Sequence, residues 1–469
     1  MAGPGVPETV ILGGGPAGLA TAWALEEAGR PHVVLEAAPV PGGNARTLRH
    51  GGFRYDTGPH RFHDRDPEAT RRLMSLLGPD LHEVEAPSRI FWNGRLVDFP
   101  LQPLQVLWGA GLPHALRAMS AFARARVGGM GGREPADFAG WATRRFGRVV
   151  ADAFLIPFSE KLWGLPASDL SPEIAGRRLP GFSLREIVRE AVFGRRGHHL
   201  EGRFLYPRWG YGQIVEAMAG RLAPGRLRCG CRVVRVVASG GEIRAVQYET
   251  GGRLETIESA AVVNTLPITL LVRILEPSPP AEVLDAARHL RFRDMVLVTL
   301  FLDQPTVSDA ACLYFPQRDL EFTRAHEPRN RSSAMSPVGK TSLVVEFPCF
   351  EGDQVWSRDE TVLTRGLVGE LERLGVVEAA RVEGSAVVRL RRAYPVYSKD
   401  YRQWAQPVLD YLRSFRNLTT LGRSGGFFYG HVHDFIVEGV ATAETVARLL
   451  DGATPAEQPV APASNSVQA

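Results

Sequence analysis

The run from Thr9 to Glu36 constrains this 469-residue chain more than any other. Thr9-Val10-Ile11-Leu12 is continuously apolar, as a strand buried on both faces requires. Gly13-Gly14-Gly15-Pro16-Ala17-Gly18 follows, and Leu19 to Ala28 then reads as a helix closed by Gly29. Val33-Val34-Leu35 is the next strand and ends on Glu36. Strand, glycine turn, helix and strand make a βαβ unit, which commits the chain to a parallel sheet. Gly13 permits the tight turn, Gly15 lets a pyrophosphate approach the backbone, and Gly18 lets helix and strand pack closely. With Pro16 and Ala17 they open a helix whose N-terminus faces phosphate charge. Glu36, roughly 20 residues beyond Gly13, is placed to accept hydrogen bonds from a ribose. The unit reads as a dinucleotide site, with NAD and FAD equally open.

A second glycine turn, Pro41-Gly42-Gly43-Asn44-Ala45-Arg46-Thr47, brings an Arg and a hydroxyl suited to the same pyrophosphate. The loop Thr57-Gly58-Pro59-His60-Arg61-Phe62-His63 gathers two His and one Arg. From Asp66 to about Gly202 the pattern is mostly helical, with helices expected over Pro67 to Leu77, Pro113 to Arg126, Asp137 to Phe146 and Leu184 to Phe193. Arg126 to Arg133 reads as a flexible loop. Leu101 to Phe122 is rich in Leu and Trp, and reads either as a packed helix pair or as a peripheral membrane contact. Leu227 to Glu258 alternates with period two around Gly240-Gly241 and Gly251-Gly252, the pattern of hairpins. Ala261 to Thr265 and Leu418 to Gly422 are core strands, and Met295 to Leu302 and Ser342 to Phe347 belong to a second sheet. Thr361 to Leu374 and Val440 to Leu450 are helical, and the Ala, Pro, Ser and Gln beyond Asp451 read as a disordered tail.

A net charge of +4 is too small and too scattered to point to nucleic acid. No stretch reaches the roughly 20 apolar residues of a membrane span, and the N-terminus lacks the basic region of a signal peptide. Cys229 and Cys231 are too close for ordinary disulfide geometry, and Cys312 and Cys349 stand alone. All four read as reduced thiols of a cytoplasmic protein, and no metal site is expected.

Several segments together resemble the superfamily of FAD-dependent amine oxidases, protoporphyrinogen oxidases and UDP-galactopyranose mutases. Gly13 to Ala20 matches its glycine motif, Gly42 to Thr47 is similar to its second glycine motif, and Asp56 to Phe62 resembles the segment that runs beside the isoalloxazine ring. Pro157 to Gly164 looks like a helix-rich segment of the mutases. Tyr206 to Gly212 looks like the return into the FAD domain, and Gly422 to Tyr429 resembles the closing motif. The resemblance implies an α/β fold: a discontinuous Rossmann-like FAD-binding domain, with an inserted α+β substrate domain made of a helical part and an antiparallel sheet. The expected divisions are 5–65, 203–268 and 415–450 for FAD, 66–202 and 269–414 for substrate, and 451–469 for the tail. It implies noncovalent FAD held by Gly13, Gly15, Pro16, Ala17, Gly18, Glu36, Gly43, Asn44, Arg46, Thr47, Val233 (through its backbone, at the adenine), Gly422 and Arg423.

The expected reaction is hydride transfer from a small-molecule metabolite to flavin, with His60, His63 or Arg61 as catalytic groups. Trp163, Tyr394 and Tyr429 are candidates for walls of the flavin face, and Arg178, Arg293 and Arg392 for an anionic substrate. Lys161 and Lys340 are candidates for the lysine that amine oxidases keep near the flavin. The mutase-like Asn44 and His60 loop leave open a redox-neutral sugar-nucleotide isomerase working with reduced FAD. His431-Val432-His433-Asp434 departs from the mutase closing motif. A flavin-bearing protein without turnover is a third class.

Overall fold

The computed structural model describes residues 9–92, 94–99, 134–178 and 203–452. A five-stranded parallel sheet runs in the order Leu418–Thr420, Ala261–Asn264, Thr9–Leu12, His32–Glu36, Leu227–Cys229. Thr9 pairs with both Ala261 and His32, so the N-terminal strand is central, and its residues are buried throughout. That is why the strand reads as an unbroken apolar run. The sheet draws on three widely separated stretches of chain. Helix Pro16–Glu27 covers it, and the final helix, Val432–Leu450, lies against that helix. A Cβ at Gly439 would sit 2.7 Å from Ala20 Cβ, so the glycine sets this close approach.

A seven-stranded sheet forms the second layer, in the order Val382–Pro395, Phe292–Leu302, Thr341–Cys349, Arg324–His326, Cys312–Tyr314, Ser88–Trp92, Arg95–Phe99. Its pairings are antiparallel except for Cys312–Tyr314 with Ser88–Trp92. Alternation divides its residues. Val296, Val298, Leu300, Leu343 and Val345 point to one face and pack with Leu363, Leu367 and Leu371 of helix Glu360–Arg373. Leu297, Phe301 and Val344 point to the other, where Phe301 stacks on His50 at 4.6 Å and packs on Phe53 and Tyr55. These three belong to the hairpin of Thr47–His50 with Phe53–Asp56. The hairpin thus joins the glycine turns to the inner face of the second sheet, and the site lies along that junction.

Helices Pro67–Leu77 and Phe138–Phe146 form where the period predicts, N-capped by Asp66 and Asp137. The stretch after Leu77 departs from the helical expectation. Leu81–Glu85, Ser88–Trp92 and Arg95–Phe99 are strands, and Leu81–Glu85 pairs with the distant Arg203–Pro207. Asn93-Gly94 between two of them is a strong hairpin signal, and Gly94 has φ 74°. The final helix begins at Val432 rather than Val440 because Asp434 accepts from His431 N and caps the earlier turn. The expectations placed at 101–133, at 184–193 and beyond 452 lie outside the described residues. Among the described residues, no helix is long and apolar enough to cross a membrane.

Candidate functional site

The nucleotide end is built from the carboxyl edge of the parallel sheet. Gly13 has φ +103° and donates to Leu35 O at 2.9 Å, which turns the chain from strand to helix. Glu36 accepts from Gly14 N at 2.7 Å and from Ala38 N at 2.8 Å, and each oxygen keeps a lone pair for a ribose. The second glycine turn docks on the first: Gly42 N donates to Gly14 O at 2.8 Å, and a Cβ at Gly43 would meet Gly15 Cα at 3.3 Å. Gly422 docks from the third stretch, where a Cβ would sit 2.8 Å from Ala17 Cβ. A Cβ at Gly15 would meet nothing within 4 Å, and no acidic side chain stands in the first turn of Pro16–Glu27. The unpaired N–H groups of that turn are therefore open to an anion. Cys231 N donates to Glu36 O at 2.8 Å, which brings strand Arg232–Ser239, with buried Val233, up to Glu36. Arg46 Nε is buried without a hydrogen-bond partner among the described residues. The donor set fits a flavin dinucleotide.

Asp56 is the hub behind this end. It is fully buried and accepts from Thr47 Oγ1 at 2.7 Å, Tyr206 OH at 2.5 Å and Tyr211 N at 3.0 Å. Burial pushes its carboxyl up, while the Tyr206 and Thr47 hydroxyls pull it down. Thr47 Oγ1 also accepts from Gly212 N at 2.8 Å. The Thr47 hydroxyl therefore holds the returning chain, where the sequence suggested a pyrophosphate contact.

His60 stacks on Tyr211 at 4.9 Å, and its Nε2 donates to Asn44 O at 3.0 Å. Burial, then the Arg423 charge, lowers its pKa to about 3, so the ring is neutral. His63 meets His431 edge-on at 6.5 Å, and His431 stacks on His433 at 5.4 Å. Arg61 donates to Ser88 Oγ at 2.8 Å and lies over the Phe204 ring.

Trp163, Tyr394 and Tyr429, singled out in the sequence as candidate walls of the flavin face, come together, with Trp163 5.5 Å from Tyr429 and 6.1 Å from Tyr394. Tyr397 joins them, stacked on Trp163 at 6.4 Å, and its hydroxyl accepts from Tyr429 N. Arg423 lies over the rings of Tyr394 and Tyr429 and donates to Ala393 O and Gly430 O. Arg324 closes the group, donating to Tyr394 OH at 3.0 Å and to Glu346 Oε2 at 2.6 Å. Burial draws the Arg324 pKa down, but the Glu346 carboxylate outweighs it and holds the guanidinium charged.

Other residues singled out in the sequence are placed elsewhere. Arg293 is buried and donates to Leu162 O, Lys161 O and Pro348 O, so it clamps the end of helix Ile156–Trp163. Arg392 is exposed in a bulge with φ 54°, its N–H bonded to Asp294. Arg178 ends the segment Pro172–Arg178, and its side chain is outside the described residues. Lys340 pairs with Glu383 at the surface. Lys161 donates to Phe315 O, Leu320 O and Phe322 O at 2.7, 3.1 and 2.8 Å, and burial pulls its pKa down to about 7. Lys161→Met is expected to cost about 3 kcal/mol, by orphaning carbonyls of buried residues, and to leave the flavin spectrum unchanged. Urea midpoints and visible spectra check this, and a flavin shift at constant stability would place Lys161 beside the ring instead.

Arg324, His326, Arg331 and Tyr397 escaped the sequence reading. Arg324–His326 is a three-residue strand, too short to show a period.

The comparisons agree with this geometry. The profile of flavin-containing amine oxidoreductases matches residues 16–447. Protoporphyrinogen oxidase 1, chloroplastic, of Arabidopsis thaliana is 28% identical over 299 residues, covering 58% of this chain and 54% of that protein. The chain thus spans only about half the length of that relative. A phytoene desaturase (lycopene-forming) of Pseudescherichia vulneris is 35% identical over 99 residues, 20% of each chain. Among solved structures, reduced UDP-galactopyranose mutase superposes with TM-score 0.83 at 22% identity, covering 98% of both chains, a likeness of fold. Matched across nearly all its length, the chain belongs to the flavin-containing amine oxidoreductase family.

Proposed function

We propose that the chain is an FAD-dependent oxidoreductase acting on a small-molecule metabolite. The observation that carries the reading is the docking of the second glycine turn and the closing segment onto the first, through Gly42 N to Gly14 O at 2.8 Å and Gly422 against Ala17. A lone NAD motif would need neither contact. FAD, when bound, would supply the redox chemistry as acceptor of the substrate's hydride, the transfer to N5 expected from the sequence. The first turn of Pro16–Glu27 and the Gly43, Asn44 and Arg46 segment would hold the pyrophosphate, Glu36 the ribose, and the Val233 backbone the adenine. No cysteine stands in a tethering motif, in keeping with noncovalent binding. Four free thiols suit a reducing cytoplasmic compartment.

The seven-stranded sheet is assigned to substrate, in support of a substrate domain drawn from 66–202 and 269–414. The aromatic group of Trp163, Tyr394, Tyr397 and Tyr429, of which Tyr394 lies on that sheet and Trp163 ends helix Ile156–Trp163, is assigned to the reacting end. His60, neutral and committed to Asn44 O, positions the loop and excludes water. That role replaces the general base expected from its residue type. His63 and Arg61 remain proposed as substrate contacts.

Anaerobic titration of the purified yellow protein against metabolites tests the reading. A substrate is expected to bleach the oxidised flavin directly. A second reading, a redox-neutral sugar-nucleotide mutase, draws on the fold likeness over 98% of both chains. It predicts turnover only after dithionite reduction, with the flavin left reduced, and that result would displace the oxidoreductase.

A further inference from the structure

The inner face of the seven-stranded sheet carries buried polar groups that the reading above does not use. Arg324 and His326 alternate on one short strand and share a face with Glu346 and Val344, their partners across the ladder. Ser342 lies on that face two residues from Val344. His326 is 0% exposed, and neither ring nitrogen has a hydrogen-bond partner among the described residues. Ser342 Oγ and Glu346 Oε1 are equally buried and unpartnered. A buried polar group left unsatisfied is destabilising, so a cluster of them points to a bound species that completes it.

Charge selects the species. Arg331 is 2% exposed, and its guanidinium donates to His60 O at 3.1 Å and Ala311 O at 3.0 Å, both neutral carbonyls. Its Nε has no hydrogen-bond partner among the described residues. The Arg324 charge is matched by Glu346 in an ion pair, whereas the Arg331 charge meets no carboxylate in its hydrogen bonds and is offset through space by Asp56. Burial, reinforced by the charges of Arg331, Arg324 and Arg61, holds the His326 imidazole neutral. It offers one N–H donor and adds no charge of its own. The Arg331 bond to His60 O ties this patch to the loop assigned to the flavin side.

We propose that His326, Arg331 and Arg324 form an anion subsite that receives a carboxylate or phosphate carried by the substrate. Glu346 Oε1, an acceptor on the same face, is left for a substrate hydroxyl or a bridging water. The subsite rests on the oxidoreductase reading for the word substrate, but its test needs no turnover.

The full-length oxidised protein is examined by thermal shift and by the visible flavin spectrum with benzoate, phenyl phosphate and benzylamine. One or both anions are expected to raise Tm saturably and perturb the flavin band, while benzylamine does neither. Which anion acts distinguishes carboxylate from phosphate. His326→Leu is expected to raise the Tm of the ligand-free protein, because an unsatisfied polar ring is removed, and to weaken anion binding by about ten- to a hundredfold. His326→Asn, which keeps a donor, should recover part of the affinity. No anion shift, an unchanged affinity in His326→Leu, or a lowered Tm in that variant would each overturn the subsite and leave a structural histidine beside internal water only. A yellow protein without an anion response sinks the subsite alone. A protein that takes up no FAD sinks the oxidoreductase reading, and the thermal arm still decides the subsite.

Discussion

Asp56→Ala is expected to lose about 4 kcal/mol of folding stability and most of its flavin. Three donors converge on this carboxylate: the Thr47 and Tyr206 hydroxyls and Tyr211 N. Asp56, Tyr206 and Tyr211 are all at most 1% exposed, so water cannot readily replace the lost acceptor. The hub also links hairpin Thr47–Asp56 to the segment Tyr206 to Gly212, which returns the chain to the parallel sheet. Loosening it releases Tyr211, on which His60 stacks. Asp56→Asn keeps one acceptor oxygen and should lose less than half as much. Denaturation midpoints with the ratio of flavin to protein decide the matter. Wild-type stability in Asp56→Ala would show that the carboxylate is not the joint between the two segments.

The second large effect separates two glycines of the same motif. At Gly18 a Cβ would lie 2.1 Å from Gly13 O and 3.3 Å from Ile11 Cγ2. The obstacle is backbone, so strand and helix must part, and Gly18→Val should cost about 3 kcal/mol or more along with the flavin. At Gly15 the backbone has φ −78° and ψ −179°, which any residue adopts, and the space where its Cβ would sit is open. Gly15→Val should therefore fold with wild-type stability and purify colourless, because the side chain occupies the place of the pyrophosphate. A yellow Gly15→Val protein with full flavin content would mean that the dinucleotide runs elsewhere.

The contrast between these glycines also shows how far the sequence could be read. Their roles follow from one local turn, so spacing alone assigns them. The strands after Leu77 were less legible. Leu81–Glu85 is a strand because Arg203–Pro207 arrives to pair with it, and no window around residue 81 contains that partner. The Asn93-Gly94 turn was a local signal that the helical reading passed over.

Side-chain commitments were the least legible. Arg293 and Thr47 have the right chemistry for an anion, yet the fold commits the first to carbonyls at the end of Ile156–Trp163 and the second to Asp56 and Gly212. Arg324 and His326 sit in three residues with no pattern of their own. Their face exists only because Thr341–Cys349 and Cys312–Tyr314 flank them.

By itself the sequence determined the βαβ unit, its glycine turns and Glu36, because a turn, a helix N-terminus and a strand end are set by neighbours within a few residues. Only the tertiary structure decided which Arg and His keep donors to spare. A guanidinium or imidazole can bind substrate only through a donor that no carbonyl or carboxylate from a distant strand has already taken.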